Sequence, residues 1–271
     1  MSRPPRRPRL LACDLDGTLL TSDGRITDAV AAALARAAAA GIALAVITAR
    51  PGRDVRPEVS AAVPGSAYWA YSNGAVLHAP GDPRPRRVLG FAPAEATALV
   101  EAVRAVGRGW SCALDLVDRT VLLDPFPAAA AEHWSRVVRH GPGEWPVLAG
   151  PVPKLLVHTG VRTDAAVVAQ VQAAVGAAAL ATASGGSFVE LVPPGSGKAA
   201  ALRALCAELG LAESDTAAVG DGLNDLGMFA AAGLSAAPAN APADVRTAAD
   251  LILPSNDEDA VAALIDILLT C

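Results

Sequence analysis

The chain has 271 residues, 52% of them hydrophobic and 18% charged, which excludes a disordered polymer and supplies a real core. Its length suits one large domain or two modest ones. A net charge of −5 with no basic stripe argues against a nucleic-acid partner.

The first nine residues, MSRPPRRPR, read as a disordered basic leader. Arg6-Arg7 and the LLAC tetrapeptide superficially resemble export signals, but Leu10 to Cys13 is far too short for a signal core and Asp14 follows at once. Stretches 165–183 and 226–243 are uncharged, yet glutamine, glycine and proline interrupt them, so no membrane span is expected. The four cysteines show no CxxC spacing and the four histidines no zinc-ligand pattern. A cytoplasmic protein is the expectation.

Leu10 to Cys13 predicts a buried strand and Asp28 to Ala40 a helix closed by Gly41. The run IALAVIT, 42–48, predicts a strand covered on both faces. Gly52 to Ala62 allows a short helix that Pro57 limits, and AYWAYS leads into Asn73-Gly74. Residues 80–90, rich in proline and arginine, read as a boundary linker. Beyond it the pattern changes. It predicts a helix over 93–106, strands over 110–117 and 120–123, a helix near 127–139 and a strand at KLLVHT. A helix around 163–175 and two strands near 180–191 complete the segment. Neighbouring strands there imply antiparallel pairs, so 80–190 reads as a second domain inserted between 10–79 and 191–271. The first rhythm then returns, with a helix from Lys198 to Leu209, a strand ending on Asp221, and short strands at Leu234 to Ala237 and Leu251 to Leu253. Such β–α alternation argues for a parallel sheet with helices on both faces.

In an open α/β sheet, ligands sit at the carboxyl ends of the strands. Those ends carry Asp14-Leu15-Asp16-Gly17-Thr18, then Thr48-Ala49-Arg50, then Ser72-Asn73-Gly74, then Gly220-Asp221-Gly222-Leu223-Asn224-Asp225; Lys198 opens a helix after PPGSG. Carboxylates so concentrated require cations. Hard oxygen donors select Mg²⁺, which commonly contacts a substrate phosphate as well. Thr48 and the backbone amides around Gly17 suit phosphate oxygens, and Lys198 suits both phosphate and carboxylate. Together these are the parts of phosphoryl transfer through a carboxylate nucleophile.

In order and spacing, Asp14 to Leu19, Thr48, Lys198 and Gly220 to Asp225 resemble the four motifs of the haloacid dehalogenase (HAD) superfamily. The insert looks like a type IIB cap, and SNGA at 72–75 with AAPANAPADVRTAAD at 236–250 is similar to segments of the Cof-type phosphatases. The resemblance implies a Rossmann-like parallel-sheet core with an inserted α+β cap. It implies a Mg²⁺-dependent phosphatase acting on a small phosphorylated metabolite, as a monomer or homodimer. Asp14 would be the nucleophile. Asp16 would be the acid and base, with its carbonyl on the metal. Gly17, Thr48 and Lys198 would bind phosphate. Asp221 and Asp225 would complete the metal site and Asn224 would orient it. Arg50, Asn73 and Asn240 would contact substrate. Ala49 stands where the family commonly has glycine, Ala260 where glycine is frequent, and Gly227 breaks the usual run after Asp225; none of these removes a catalytic group.

Simpler readings compete. An Asp-x-Asp-Gly segment serves as an ordinary Asx turn elsewhere. An EF-hand loop fails because Leu19 and Arg25 occupy its glycine and glutamate positions, and a P-loop fails at Val192 and Ala199. Two further functions stay open: a phosphotransferase or mutase of the same chemistry, and a catalytically silent binding protein on this fold.

Overall fold

In a computed structural model of the chain, which describes residues 7–127, 134–141, 144–183 and 187–270, the tetrapeptide Leu10–Cys13 forms strand β1 with all four side chains buried. Alternate side chains of a strand point to opposite faces. Accordingly Leu11 and Cys13 join one apolar cluster, with helices α1 (Asp28–Ala39) and α8 (Ala260–Thr270), while Leu10 and Ala12 join another, with α5 (Lys198–Leu209) and α6 (Leu226–Ala231). Burial on both faces explains why β1 reads as a continuous apolar run.

β1 lies between two parallel neighbours, β2 (Ala43–Ile47) and β12 (Thr216–Val219), with Cys13 level with Val46 and Val219. Parallel pairing continues to β3 (Tyr68–Tyr71) on one side and to β13 (Leu234–Pro238) and β14 (Leu251–Leu253) on the other. β4 (Val76–His78) and β5 (Arg87–Val88) add an antiparallel edge, so the order is β14-β13-β12-β1-β2-β3-β4-β5. The supposed linker at 80–90 therefore contributes a short edge strand to this sheet. The carboxyl ends of β1, β2 and β12 come level at one edge, so the motifs that follow them meet there. Between β2 and β3, Pro57 occupies the first turn of α2 (Pro57–Ala61), where its missing N–H is harmless. Thr27 caps α1 by accepting from the Val30 amide at 3.1 Å.

A second sheet has the order β10-β11-β9-β6-β7-β8, with β6 (Ser111–Asp115), β7 (Thr120–Leu122), β8 (Val137–Arg139), β9 (Lys154–His158), β10 (Leu180–Thr182) and β11 (Phe188–Val192). All its pairs are antiparallel except β7 with β8. Helices α3 (Pro93–Val106) and α4 (Ala165–Val175) cover one face over Leu114, Val121, Leu155, Val157, Val189 and Leu191. The alternate residues Asp115, Thr120, Lys154 and Glu190 are buried on the opposite face.

The helix expected near 127–139 is not what residues 137–139 form: Val137 to Arg139 run as a strand beside β7. Val137 and Val138 favour a pleated surface over a helix. Residues 128–133 of that expectation, and residues 1–6 of the expected leader, lie outside the described residues. Among the described residues no helix is long and apolar enough to cross a membrane.

Candidate active site

Asp14 is the first residue beyond β1, and its amide donates to the Val219 carbonyl at 2.9 Å, so the end of β12 fixes where the acid begins. Leu15 to Leu19 then form a wide turn in which Gly17 adopts φ +70°. A Cβ on Gly17 would stand 2.3 Å from Oδ2 of Asp221, so the bare backbone here is what lets Asp221 sit against the turn. Thr18 donates its hydroxyl to Oδ1 of Asp221 at 3.0 Å.

Carboxylate oxygens of Asp14, Asp221 and Asp225 all lie within 4.8 Å of one another. Lys198, the first residue of α5, is buried and places Nζ 2.6 Å from Asp14 and 2.7 Å from Asp225. Asp225 is fully buried and also accepts from the Gly222 amide at 2.8 Å. The cluster thus sets three acids against one ammonium, which contacts two of them, and its acidity reflects the imbalance. Burial pushes the Asp14 carboxyl well above the ordinary range; Lys198 opposes this, and Asp225 and Asp221 reinforce it. Burial and the neighbouring Asp225 raise Asp221 to about 6, against the Thr18 hydrogen bond and Lys198. Burial alone would lower the pKa of Lys198, yet Asp14 and Asp225 raise it above that of ordinary lysine, so it stays charged. Excess negative charge on hard oxygens, with one hydroxyl and one ammonium to balance it, is a donor set that fits a hard divalent cation.

Asp16 lies outside this cluster. Arg50 grips its carboxylate with two hydrogen bonds, one from Nε at 2.8 Å and one from Nη2. Thr48 is fully buried, and its hydroxyl oxygen accepts from the Arg50 amide at 3.1 Å. Asn240 donates to the Gly17 carbonyl at 2.9 Å and accepts from the Asn256 amide at 2.9 Å, so it ties the turn after β1 to the segment before α8. Asn73, expected to contact substrate, meets the chain's own residues. It is fully buried and both ends of its amide are occupied: Nδ2 donates to Glu190 at 2.8 Å, and Oδ1 accepts from Asn224 Nδ2 at 2.9 Å. Its backbone is pinned too, since the Asn73 amide donates to the Thr48 carbonyl at 2.9 Å. Ser72, Asn73 and Gly74 all have positive φ. At Gly74 a Cβ would come within 2.7 Å of Ala201, so this turn nests on the helix that carries Lys198.

Several residues absent from the sequence reading hold the second sheet against this edge. Lys154 donates to the Ala49 carbonyl at 2.7 Å and pairs with Glu190 at 3.1 Å and Asp115 at 3.4 Å. Arg53 donates to Asp115, to the Leu116 carbonyl and to the Thr120 hydroxyl. Ser135 donates its amide to Asp54 at 3.0 Å. The signal was present as charges inside apolar runs, KLLVH and FVELV, since a charge on a buried strand needs a buried partner. The partner's identity was not readable, because Lys154 and Glu190 lie 36 residues apart and meet only once β9 and β11 pair in register.

Comparison with known proteins agrees with this architecture. A family model described as haloacid dehalogenase-like hydrolase matches residues 11–265. The chain is 40% identical over 89 residues to a 5-amino-6-(5-phospho-D-ribitylamino)uracil phosphatase of Bacillus subtilis, covering 33% of this chain and 31% of that relative. It is 29% identical over 228 residues to the HMP-PP phosphatase of Cronobacter sakazakii, covering 83% and 82% of the two chains. The structure of the HAD subclass IIB sugar phosphatase BT4131 superposes with a TM-score of 0.79 at 18% identity, over 97% of this chain and 100% of that one, and so shares the fold, a parallel-sheet core with an inserted cap. With the family model spanning nearly the whole chain and the motif residues gathered at one sheet edge, the protein belongs to the haloacid dehalogenase-like hydrolase family.

Proposed function

We propose that this protein is a Mg²⁺-dependent phosphatase of a small phosphorylated metabolite, working through a phosphoryl group held transiently on Asp14. The observation that carries this reading is Asp14 at the end of β1, 2.6 Å from buried Lys198 and grouped with Asp221 and Asp225. Asp14, Asp221 and Asp225, with the Asp16 carbonyl, would hold Mg²⁺, whose charge when bound offsets the phosphoryl oxygens and lets an anionic nucleophile approach them.

The remaining steps belong to the chain. Lys198 favours the ionised form of Asp14 against its burial, orients it and draws on the same phosphoryl oxygens, with Thr48 and the amides at Gly17 completing their cradle. An Asp14 oxygen bonds to phosphorus as the bond to the leaving oxygen breaks, and protonated Asp16 gives that oxygen its proton. Asp16 then takes a proton from water as the water oxygen attacks phosphorus, releasing inorganic phosphate and restoring Asp14. Because Asp16 stands apart from the acidic cluster, it can gain and lose a proton without removing a carboxylate from that cluster. Arg50 fixes its direction. Asn224 orients the loop that carries Asp221 and Asp225. The insert spanning about 80–190 acts as the cap that excludes water and reads the leaving group. The 5-amino-6-(5-phospho-D-ribitylamino)uracil and HMP-PP named for the two relatives above are suitable first substrates.

The test is inorganic phosphate release from a panel of phosphorylated metabolites and one aryl phosphate, with Mg²⁺, with EDTA, and with Asp14→Asn. Release that requires Mg²⁺ and vanishes in Asp14→Asn is expected. Equal release by Asp14→Asn, or none from any substrate by folded protein, would overturn the reading.

A further inference from the structure

A buried polar chain crosses from the second sheet to the acidic loop. Glu190 on β11 accepts from Asn73 at 2.8 Å, and Asn73 accepts from Asn224 at 2.9 Å. Asn224 is the residue next to Asp225. Glu190 is itself fixed by Lys154 at 3.1 Å, and Lys154 is fixed by the Ala49 carbonyl beside Thr48. Glu190 and Lys154 are 4% and 3% exposed and Asn73 is 0% exposed, so water does not compete for these bonds.

The direction of the chain has chemical content. A carboxylate accepts and cannot donate, so Glu190 forces Asn73 to present its NH₂ to it. Asn73 must then present its carbonyl oxygen to Asn224, which answers with its own NH₂. The amide of Asn224 is thereby committed to one of its two orientations, and its oxygen is left for the Gly220–Asp225 loop. That Oδ1 is buried and has no hydrogen-bond partner. A buried acceptor without a donor is costly unless a donor or cation meets it. In the reverse orientation the loop would receive an NH₂, which repels a cation.

We propose that Glu190 and Asn73 are positioning residues. Through two successive hydrogen bonds, the inserted sheet sets the amide orientation of Asn224 and so tunes the cation affinity of the Asp14–Asp221–Asp225 cluster. The proposal rests on the metal-dependent reading of that cluster. It assigns the insert a role in the metal side of the site beyond covering the substrate. It also accounts for the positive φ of Asn73, +56°, a conformation that asparagine tolerates better than most residues.

The experiment is calorimetric titration of metal-free protein with Mg²⁺, alongside kcat and KM on the aryl phosphate and thermal unfolding. Glu190→Ala removes the acceptor; in Glu190→Gln the one amide oxygen is claimed by the Lys154 ammonium, so an NH₂ faces Asn73 and the relay is reversed. Both are expected to lower Tm. Both should weaken Mg²⁺ binding, by roughly 10–100-fold, the usual effect of losing a group that orients a metal ligand. Each should lower kcat with little change in KM. Asn73→Gly, which accepts the same φ, is expected to match Glu190→Ala, and the double variant should be no worse than either single one. Unchanged Mg²⁺ affinity in Asn73→Gly, or in Glu190→Gln, would sink the proposal. A raised KM at unchanged kcat would instead make Glu190 a substrate contact and equally overturn it. Should Glu190→Ala fail to fold, Asn73→Gly and Glu190→Gln decide. Mg²⁺ affinity reads the relay even if the parent protein hydrolyses nothing, so the two readings fail separately.

Discussion

Gly17→Ala adds one carbon at the point where the turn after β1 meets the acidic loop. The new Cβ would lie 2.3 Å from Oδ2 and 2.7 Å from Cγ of Asp221. To regain an ordinary contact of 3.4 Å, the carboxylate must retreat by about 1 Å. Asp221 is only partly buried at the end of its loop, so the retreat itself is cheap. The larger stability term is the positive φ of 70° forced on alanine, about 1–2 kcal/mol. For a protein of this size that corresponds to a fall in Tm of roughly 2–8 °C. Function should suffer far more. Mg²⁺ demands oxygens at about 2.0–2.1 Å in near-ideal octahedral geometry, so a carboxylate moved by about 1 Å no longer serves. Mg²⁺ affinity measured by calorimetry should fall by at least about 10-fold, and kcat for aryl phosphate with it. Mg²⁺ affinity within about threefold of the parent, with Tm reduced as stated, would refute the claim that this glycine exists to seat Asp221.

Three other outcomes follow from the same cluster. Lys198→Met leaves Asp14 and Asp225 buried without their shared cation and should destabilise the metal-free protein by about 3–5 kcal/mol at pH 7, and by less at lower pH, where Asp14, whose carboxyl burial already pushes up, takes up a proton; an equal loss by chemical denaturation at pH 7 and pH 5 would contradict this. Asp14→Asn removes an acid that burial holds well above its ordinary pKa, so without Mg²⁺ its Tm at pH 7 should equal or exceed that of the parent, and a clear drop would count against the assignment. Asp221 titrates near 6 in the folded chain and near about 3.9 when unfolded. The folded state therefore binds the extra proton, its contribution to stability is present below the unfolded value, and it is lost as pH rises to 6. Mg²⁺ needs the ionised form, so its affinity should climb from pH 5 to pH 7; a flat profile in calorimetry over that range would exclude competition between proton and metal.

The local sequence determines a great deal in this chain. Leu10 to Cys13 and Ala43 to Ile47 are apolar on both faces, which only a strand sandwiched between helix layers satisfies. Asp14, Asp221 and Lys198 are legible because each follows or opens a regular element, and the ends of parallel strands must gather at one edge. The strand at Val137 to Arg139 was not legible, since three residues at a sheet margin owe their conformation to pairing with Thr120 to Leu122. Arg87 and Val88 join β4 for the same reason. Asn73 shows the limit most clearly. In the sequence it belongs to a turn signal, and only the packing of two sheets places Glu190 on one side of it and Asn224 on the other. Local patterns decide which backbone forms, because propensity and burial act on neighbours. Which buried charge meets which amide is decided by the register and docking of strands more than a hundred residues apart, and that exists only once the chain has folded.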